Sequence, residues 1–308
     1  MTATDIAIVG VGKIARDQHV PSIGRSEAFN LAATVSSHGG VNGVENHATL
    51  EGLLKARPDI PAVALCMPPQ HRFAAAKAAL SAGRHVLLEK PPGATVAEVH
   101  ALKALAERQG VTLFATWHSR FAAGVEPARR WLGDKTLRHV RVTWKEDVRR
   151  WHPGQEWIWQ PGGLGVFDPG INALSIVTAI LPFPVHMTTA ELKFPENREA
   201  PIAAALAMTG NGNVTVEAEF DWRHTGAQTW TIEVDTTEGR LVLADGGATL
   251  AVADEPPSKA PDREYDAIYG RFAELLTACQ IDADFTPLVH VADAFMLGRR
   301  VVVEPFFD

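Results

Sequence analysis

The chain has 308 residues, a formal net charge of -7 and two cysteines. An acidic balance without a block of Lys and Arg argues against nucleic acid or an anionic membrane as a partner, and the run of roughly 18 uncharged apolar residues that a membrane span needs is missing. Two lone thiols are too few for a disulfide framework or a cysteine-rich metal site. The first residues lack the basic segment of a signal peptide, so we expect a metal-free cytoplasmic protein.

The pattern of elements changes near residue 120. Before it, short apolar runs alternate with helical segments, which predicts a doubly wound parallel sheet. After it, most strands alternate polar and apolar residues, as in an antiparallel sheet with one solvated face. We therefore predict an α/β chain with a dinucleotide-binding domain over 1–120 and an α+β domain with a large open, mainly antiparallel sheet over 121–308. An alternative within this prediction is that the C-terminal helix packs back on the first domain.

The predicted elements follow in chain order. Strands of the first domain are expected over 5–10, 30–36, 62–67, 85–88 and 111–116, with helices over 71–82 and 95–109. Strands of the second are expected near 137–147, 185–194, 202–209, 213–221, 228–235, 240–244 and 248–253. Its helices are expected over 126–132, after Asp168, and near 264–279 and 288–300.

A glycine-rich turn follows the first predicted strand. Gly10, Gly12 and Ala15 form the pattern G-x-G-x-x-A, and Lys13 and Ile14 begin the helix that it opens. The glycines permit a tight turn and a close approach of a pyrophosphate to the helix N-terminus, and the small third residue lets helix and strand pack closely. Because the pattern lies between a strand and a helix, it predicts a dinucleotide site.

The second predicted strand ends where a dinucleotide ribose would lie. It closes with Ser36, Ser37 and His38, and no acidic residue that would bind the 2′-OH of NAD occurs before Glu45. Hydroxyls and an imidazole can instead bind a 2′-phosphate, so NADP is favoured over NAD. The alternative is a polar turn without a nucleotide role.

Further candidates follow the later strands of the predicted sheet. Pro68 follows the third strand, Glu89 and Lys90 the fourth, and His118 and Arg120 the fifth. Ligands of such sheets bind at the carboxyl ends of the strands. We assign Pro68, Glu89, Lys90 and Arg120 to the cofactor site. The alternative for Glu89 and Lys90 is an ion pair that caps a strand in a solvated turn.

Together these motifs resemble the Gfo/Idh/MocA oxidoreductase family. The resemblance rests on the glycine turn, on Glu89-Lys90-Pro91, on Arg120-Phe121 and on Asp168 at the start of a mid-chain helix. Within the family, residues 114–120, 145–155 and 163–174 are similar to bacterial L-arabinose/D-galactose 1-dehydrogenases. The resemblance covers essentially the whole chain. It implies a Rossmann domain, a sugar bound between nicotinamide and the open sheet, and homo-oligomers that pair through the open face of that sheet.

The implied reaction is oxidation of L-arabinose or D-galactose at the anomeric carbon to the aldonolactone, with reduction of NADP or NAD. A base must take the hydroxyl proton, and the family motif points to Lys90 and Asp168. A lysine must first lose its own proton, whereas an aspartate is ionised but intrinsically weak as a base. Many relatives carry a histidine four residues after the Asp, where this chain has Asn172. We favour Asp168 as the base, Lys90 as the group that orients the anomeric oxygen, and Asn172 as a hydrogen-bonding partner of the sugar.

Several polar and aromatic residues are candidates for binding the sugar. They are His118, Glu146, Trp151, His152 and Trp230. Indole faces suit the apolar face of a pyranose, and a carboxylate accepts hydrogen bonds from vicinal hydroxyls. Four of them have an alternative role: His118 as a structural histidine, Glu146 as an ion-pair partner of Lys145 or Arg149, and the two tryptophans as core packing.

Two other functions remain open from the sequence. One is a dehydrogenase of the same fold that acts on another sugar carbon or on a cyclitol, which would most naturally keep a histidine at position 172. The other is a non-catalytic regulator that binds NAD(P) or a sugar. A regulator has no need of a base, so the presence of Lys90 and Asp168 together argues against it.

Overall fold

The computed structural model describes residues 3–307, which fall into two compact units. The first unit takes the chain up to His118 together with Tyr265–Phe285, and the second takes Ser119–Glu264 and the chain from Thr286 onward. Relative to the expected division at residue 120, the segment Tyr265–Phe285 belongs with the first unit. The two units are described separately below.

The helices and strands of the described residues are numbered in chain order. The strands are β1 (Thr4–Val9), β2 (Phe29–Val35), β3 (Glu45–His47), β4 (Ala62–Leu65), β5 (His85–Leu88), β6 (Leu113–Ala115), β7 (Leu137–Lys145), β8 (His186–Pro195), β9 (Ala203–Thr209), β10 (Thr215–Asp221), β11 (Thr229–Thr236), β12 (Gly239–Ala244), β13 (Thr249–Val252), β14 (Ser258–Lys259) and β15 (Gly298–Val303). The helices are α1 (Val20–Arg25), α2 (Leu50–Ala56), α3 (Pro69–Ser81), α4 (Val96–Gln109), α5 (Val125–Leu132), α6 (Val148–Trp151), α7 (Phe167–Ile180), α8 (Glu264–Ala278) and α9 (Thr286–Leu297).

The first unit is built on a parallel sheet. Its described strands lie in the order β3-β2-β1-β4-β5-β6, and every pair is parallel. Strand order reverses between β1 and β4, which is the switch point where such sheets bind ligands. The apolar strands β4 and β5 are buried nearly throughout because helices cover both faces. The predicted doubly wound parallel sheet is confirmed.

Two short elements of this unit were not predicted. Strand β3 and helix α2 lie between the second and third predicted strands. Strand β3 is a polar, largely exposed edge strand, so it carries no apolar alternation that sequence analysis can detect. Helix α2 begins at Thr49, whose hydroxyl accepts a hydrogen bond from the Gly52 N–H at 3.1 Å.

Helix α8 packs inside the first unit although it lies far along the chain. The Phe272 ring is buried and stacks on Phe29, with the ring centroids 5.5 Å apart. Asp282, just after the helix, exchanges backbone hydrogen bonds with Leu113 and Ala115 of β6. The segment thus completes the hydrophobic core and extends the hydrogen bonding at the edge of the sheet.

The second unit is built on a mixed sheet with one covered face. Its described strands lie in the order β14-β13-β12-β11-β7-β10-β9-β8-β15. Neighbours are antiparallel except for the pairs β7–β10 and β8–β15. Helix α7, which is buried along most of its length, lies against the covered face; an added Cβ at its Gly170 would be 2.9 Å from the Phe220 ring of β10. The predicted open, mainly antiparallel sheet is confirmed.

The end of the chain differs from its prediction. A helix was expected over 288–300, but α9 ends at Leu297 and β15 follows, parallel to β8. A side chain at Gly298 would collide with the Ala294 carbonyl and with Leu192, so glycine allows the close approach at this junction. The three valines of β15 favour a strand. Among the described residues, no helix combines the length and apolar character needed to cross a membrane.

Candidate active site

The glycine turn of the first unit has the geometry of an anion site. Gly10 has φ +88°, and an added Cβ would lie 2.8 Å from the Met67 nitrogen of the adjacent strand end. Nothing lies within 4 Å of an added Cβ at Gly12, and the Arg16 N–H donates to the Gly12 carbonyl at 3.1 Å, which starts the helix. Ala15 is fully buried under it. Open space over a helix N-terminus fits a dinucleotide pyrophosphate.

The two other residues predicted at this turn lie on the first helical turn. Lys13 is exposed and forms an ion pair with Asp17, one turn later. Ile14 is half-buried. Pro68 lies just beyond the carboxyl end of β4. The residue before it, Met67, is the one whose backbone Gly10 approaches, so Pro68 lies beside the glycine turn.

The end of β2 gathers the polar groups expected there and adds an arginine. The Ser36 hydroxyl accepts from the His38 N–H at 3.2 Å, and the Ser37 hydroxyl lies 3.0 Å from Nδ1 of His38. The Arg16 guanidinium donates to the carbonyl oxygens of Gly39 and Gly40 at 3.4 and 3.2 Å. A cation therefore lies beside this turn, contributed by the helix after the glycines and not by the turn itself.

Glu89 lies inside the first unit and not in a solvated turn. Its side chain is 3% exposed, and its Oε1 accepts from the Tyr265 hydroxyl at 2.8 Å and lies 3.0 Å from Nε2 of His19. Its Oε2 accepts from the Lys90 N–H at 2.9 Å. The buried carboxylate thus fixes the backbone of Lys90.

His19 supplies the charge that makes this burial tolerable. Its Nδ1 lies 2.8 Å from the hydroxyl of Tyr269, and it ends a π-helical turn, Ala15–His19, that continues the glycine turn. Burial alone would lower the pKa of His19, but its neighbours raise that pKa well above 6.5. Burial alone would likewise raise the pKa of Glu89, but the bonds to His19 lower it to about 2. The two side chains therefore form a buried ion pair.

Arg72 holds the same segment from the other side. This buried arginine donates to the carbonyl oxygens of Glu89, Pro91 and Met67, at the carboxyl ends of β5 and β4. His118 lies close by and stacks on Tyr265, with ring centroids 5.7 Å apart. The first unit thus brings together the predicted Glu89, Lys90 and His118.

The second unit gathers most of the predicted sugar-binding residues around a second buried carboxylate. Glu146 is 3% exposed, and its two oxygens accept from the indole N–H groups of Trp222 at 3.2 Å and Trp230 at 2.8 Å. Trp230 also stacks on Trp144 and contacts Trp151, with ring centroids 5.7 and 5.3 Å apart.

Trp151 shares with Trp144 and Trp159 a buried indole N–H that its packing leaves unsatisfied. Its indole nitrogen is buried and has no hydrogen-bond partner among residues 3–307. An indole N–H is only a donor, and a buried donor without an acceptor costs about 1–3 kcal/mol. A ligand hydroxyl next to Trp151 would remove that cost.

Asp168 is buried near the start of α7, and an imidazole lies beside it. Its side chain has Oδ2 3.4 Å from Nε2 of His152, on the loop after α6. Asn172 lies one turn later on α7, half-buried. Arg120 contacts the same helix, donating to the Ser175 carbonyl at 3.0 Å and to the Thr178 hydroxyl at 2.9 Å.

Sequence reasoning missed the residues that hold these groups in place. They are Arg16, His19, Arg72, Trp222, Tyr265 and Tyr269. Arg16 had a signal, since it lies one helical turn after Gly12. The others had none: His19 and Tyr265 lie 70 and 176 residues from Glu89, and no spacing motif links Arg72 to Glu89, 17 residues away. Within residues 3–307, no cluster of three or more His, Cys, Asp or Glu side chains is arranged to hold a metal ion.

Comparison with known proteins adds independent information. Residues 4–116 match the family model described as "Oxidoreductase family, NAD-binding Rossmann fold". Over 303 residues the chain is 45% identical to a galactose 1-dehydrogenase of Pseudomonas fluorescens, which covers 98% of each chain. The chain belongs to the Gfo/Idh/MocA oxidoreductase family. The resemblance inferred from its motifs is confirmed, and the protein is an oxidoreductase.

Solved structures of relatives agree with this assignment. The crystal structure of a D-galactose-1-dehydrogenase protein from Rhizobium etli is similar over 100% of this chain and 99% of its own, with 57% identity and a TM-score of 0.96. A 3-ketoreductase from Actinomadura kijaniata in complex with NADP and TDP-benzene covers 98% and 99% of the two chains, with 19% identity and a TM-score of 0.85. That second likeness shows the fold alone.

The ion pair of His19 and Glu89 predicts a pH-dependent cost of mutation. A carboxyl whose folded pKa is depressed stabilises the fold above its unfolded pKa and loses that effect as pH falls. Folding lowers the pKa of Glu89 from 4.5 to about 2. Its contribution to stability is therefore present above pH 4.5 and is lost as the pH falls toward 2. His19→Gln leaves Glu89 buried without its counter-charge, which should cost about 3–5 kcal/mol at pH 7. The cost should shrink toward pH 4.5, where the unpaired carboxyl takes up a proton.

Urea unfolding of both proteins at pH 7 and pH 4.5 measures this difference. Tyr269→Phe is the matched control, because it removes a neutral hydroxyl from the same histidine and should cost about 1 kcal/mol at either pH. An equal cost for His19→Gln at both pH values would mean that the pair is not charged.

Proposed function

We propose that this chain is an NAD(P)-dependent aldose 1-dehydrogenase that oxidises D-galactose and L-arabinose at the anomeric carbon to the aldonolactone. The observation that carries the proposal is similarity along the full chain to two galactose 1-dehydrogenases, at 45% and 57% identity. The two sugars are proposed together because L-arabinopyranose is D-galactopyranose without its hydroxymethyl group. A pocket that binds the ring hydroxyls can accept both.

The residues around Glu146 support sugar binding. Each oxygen of a carboxylate offers more than one lone pair, so an indole hydrogen bond and a hydroxyl hydrogen bond are compatible at the same atom. Trp151 adds a buried donor, and Trp230 adds an aromatic face for the apolar side of a pyranose. We assign His118 of the first unit and His152 of the second as further hydrogen-bonding groups for the sugar.

The proposed chemistry divides between the carboxylate of α7 and the lysine after β5. Asp168 takes the proton of the anomeric hydroxyl, Lys90 orients the anomeric oxygen, and Asn172 hydrogen-bonds the sugar. Lys90 is the alternative base. Bound nicotinamide supplies the hydride acceptor for this reaction. Glu89, His19 and Arg72 act on Lys90 by fixing its backbone.

A substrate panel tests the proposed activity. The purified chain is mixed with NADP or NAD and with aldoses and cyclitols, and absorbance follows the reduced nicotinamide. We expect rapid reduction with D-galactose and L-arabinose and little with D-glucose or inositol. Asp168→Ala should abolish turnover and still bind cofactor, whereas Asp134→Ala, at an exposed carboxylate, should not change turnover. Reduction of the nicotinamide only with a cyclitol would contradict the proposed substrates. Cofactor binding without reduction by any compound of the panel would favour a regulator.

We propose NADP as the preferred cofactor because the turn after β2 carries hydroxyls, an imidazole and the adjacent Arg16. The residues that would hold it are the glycine turn with Lys13 and Ile14, the turn Ser36–His38, and Pro68, Lys90 and Arg120 at the strand ends. A hydrogen bond to a charged group is worth roughly 1.5–3 kcal/mol, or about 10–100-fold in affinity.

Two variants test the choice of cofactor. Arg16→Ala should raise the KM for NADP by about 10–100-fold with little change for NAD, and Ser37→Asp should disfavour NADP by charge repulsion. Arg25→Ala removes an arginine of the next helical turns that pairs with Asp266, so it serves as the control. An unchanged ratio of NADP to NAD in both test variants would show that this turn does not bind the 2′-phosphate.

We further propose that two copies of the chain pair through the open sheet face. On this face Glu217 and Glu219 of β10 lie beside Arg141 and Lys145 of β7, with Lys145 and Glu219 2.8 Å apart. Adjacent acidic and basic rows are self-complementary across a two-fold axis. Ala205→Arg, which adds a charge at the exposed centre of the face, should reduce the dimer mass measured by light scattering. Ala101→Arg on the exposed side of α4 is the control, and a monomeric parent protein would contradict the proposal.

A further inference from the structure

The loop after α6 presents its imidazole to the carboxylate of α7. The His152 N–H donates to the Val148 carbonyl at 2.8 Å, which continues the short helix by one residue. The ring packs against Trp222, with ring centroids 5.3 Å apart, and its Nε2 lies 3.4 Å from Oδ2 of Asp168. The carboxylate is buried, whereas the His152 side chain is 17% exposed. The imidazole therefore lies between a buried carboxylate and solvent.

Hydrogen bonds on the far side of the ring select its tautomer. The Trp157 indole N–H donates to Oε1 of Gln155 at 3.1 Å, and because an indole N–H is only a donor, that atom of Gln155 must be the carbonyl oxygen. The same oxygen lies 3.5 Å from Nδ1 of His152. Nδ1 faces an oxygen acceptor here just as Nε2 faces Asp168, so the two contacts together favour the imidazolium. When that ring loses the proton on Nε2, Nδ1 keeps its hydrogen and the Nε2 lone pair lies toward Asp168.

An imidazole next to the carboxylate compensates for the low proton affinity of the carboxylate. A carboxylate in water binds a proton with a pKa near ~4, whereas imidazole binds one near ~6.5. A proton that reaches the carboxylate therefore moves favourably to an adjacent imidazole lone pair. The resulting imidazolium is stabilised by the restored carboxylate.

We propose that Asp168 and His152 form a proton relay, in which the carboxylate takes the proton of the sugar hydroxyl and the imidazole then takes it from the carboxylate. The proposal rests on the proposed sugar dehydrogenase activity and deepens it. The hydroxyl O–H and the C1–H bonds of the sugar break, the lactone C=O forms, and the hydride goes to oxidised nicotinamide. The proton forms an O–H bond on Asp168 and then an N–H bond on Nε2 of His152. That N–H bond breaks when solvent water takes the proton from the partly exposed ring, which restores the Nε2 lone pair.

The charged groups around His152 are compatible with this role. Asp168 faces it from α7, and Glu146 lies behind Trp222, whose indole it binds. The arginines of α6 are engaged elsewhere: Arg149 pairs with Asp147 at 3.0 Å, and Arg150 stacks over Trp151. The neighbouring carboxylates favour the imidazolium that the relay forms.

Steady-state kinetics of His152→Gln test the relay. Glutamine keeps polarity and approximate bulk, so it can still hydrogen-bond the sugar, but it cannot hold the proton. The kcat should therefore fall roughly 100-fold or more, within the range of general acid–base catalysis, with little change in KM for the sugar. Wild-type kcat should rise with pH through an imidazole pKa, because a protonated ring cannot accept another proton. That limb should be absent in the variant. His224→Gln is the control, since Nε2 of His224 contacts the loop carbonyl of Ala227, at 2.9 Å, in an exposed hydrogen bond.

A measurement without sugar or cofactor tests the tautomer. In the full chain labelled with ¹⁵N-histidine, the signal that His152→Gln removes should report Nδ1–H and a bare Nε2 when the ring is neutral. An Nε2–H tautomer would overturn the relay, as would a variant that keeps wild-type kcat or retains the acid limb. If the wild-type chain oxidises no sugar, the proposed function fails. If the wild type oxidises sugar and His152→Gln has the same kcat, the relay is wrong and the proposed function stands.

Discussion

Carboxylates held out of water are the constraint on which the candidate site depends. Glu89 in the first unit and Glu146 and Asp168 in the second are each about 3% exposed, and a buried carboxylate is stable only with donors or a counter-charge around it. Glu89 has an imidazole, a tyrosine hydroxyl and a backbone N–H, and Glu146 has two indoles. Apart from the backbone N–H of Lys90, these donors come from distant segments, so each unit must be folded before its carboxylate can be buried.

The same bonds that make burial tolerable also orient the chemical groups. Oε2 of Glu89 accepts a hydrogen bond from the backbone N–H of Lys90, the next residue. Arg72 donates to the carbonyl oxygen of Pro91, the residue after Lys90. In the second unit, the indoles that satisfy Glu146 form the walls beside Trp151 and His152. Rigid placement of reactive groups before substrate binds lowers the entropic cost of reaching the transition state.

Much of the fold could be predicted, and the failures share a cause. Buried strands such as β4 and β5 are short apolar runs, and the exposed alternation of β10 indicates one wet face, so both were found from local pattern. Strand β3 is polar at the sheet edge, and β15 follows α9 directly, with no connecting turn between Leu297 and Gly298. Each is a strand because a neighbouring strand offers hydrogen bonds, β2 for β3 and the remote β8 for β15.

The candidate site divides in the same way. The sequence by itself determined the family, the glycine turn, and the identity of Lys90, Asp168, Glu146 and Trp151 as residues worth testing, because motif spacing along a strand or helix is a local property. Only the tertiary structure decided which side chains partner them. Three contacts depend on distances between separate elements and not on spacing along the chain. They are the ion pair of His19 with Glu89, the Arg16 guanidinium beside the Ser37 turn, and the His152 imidazole next to Asp168. Electrostatic interactions act over a few ångströms in space, whatever the separation along the chain.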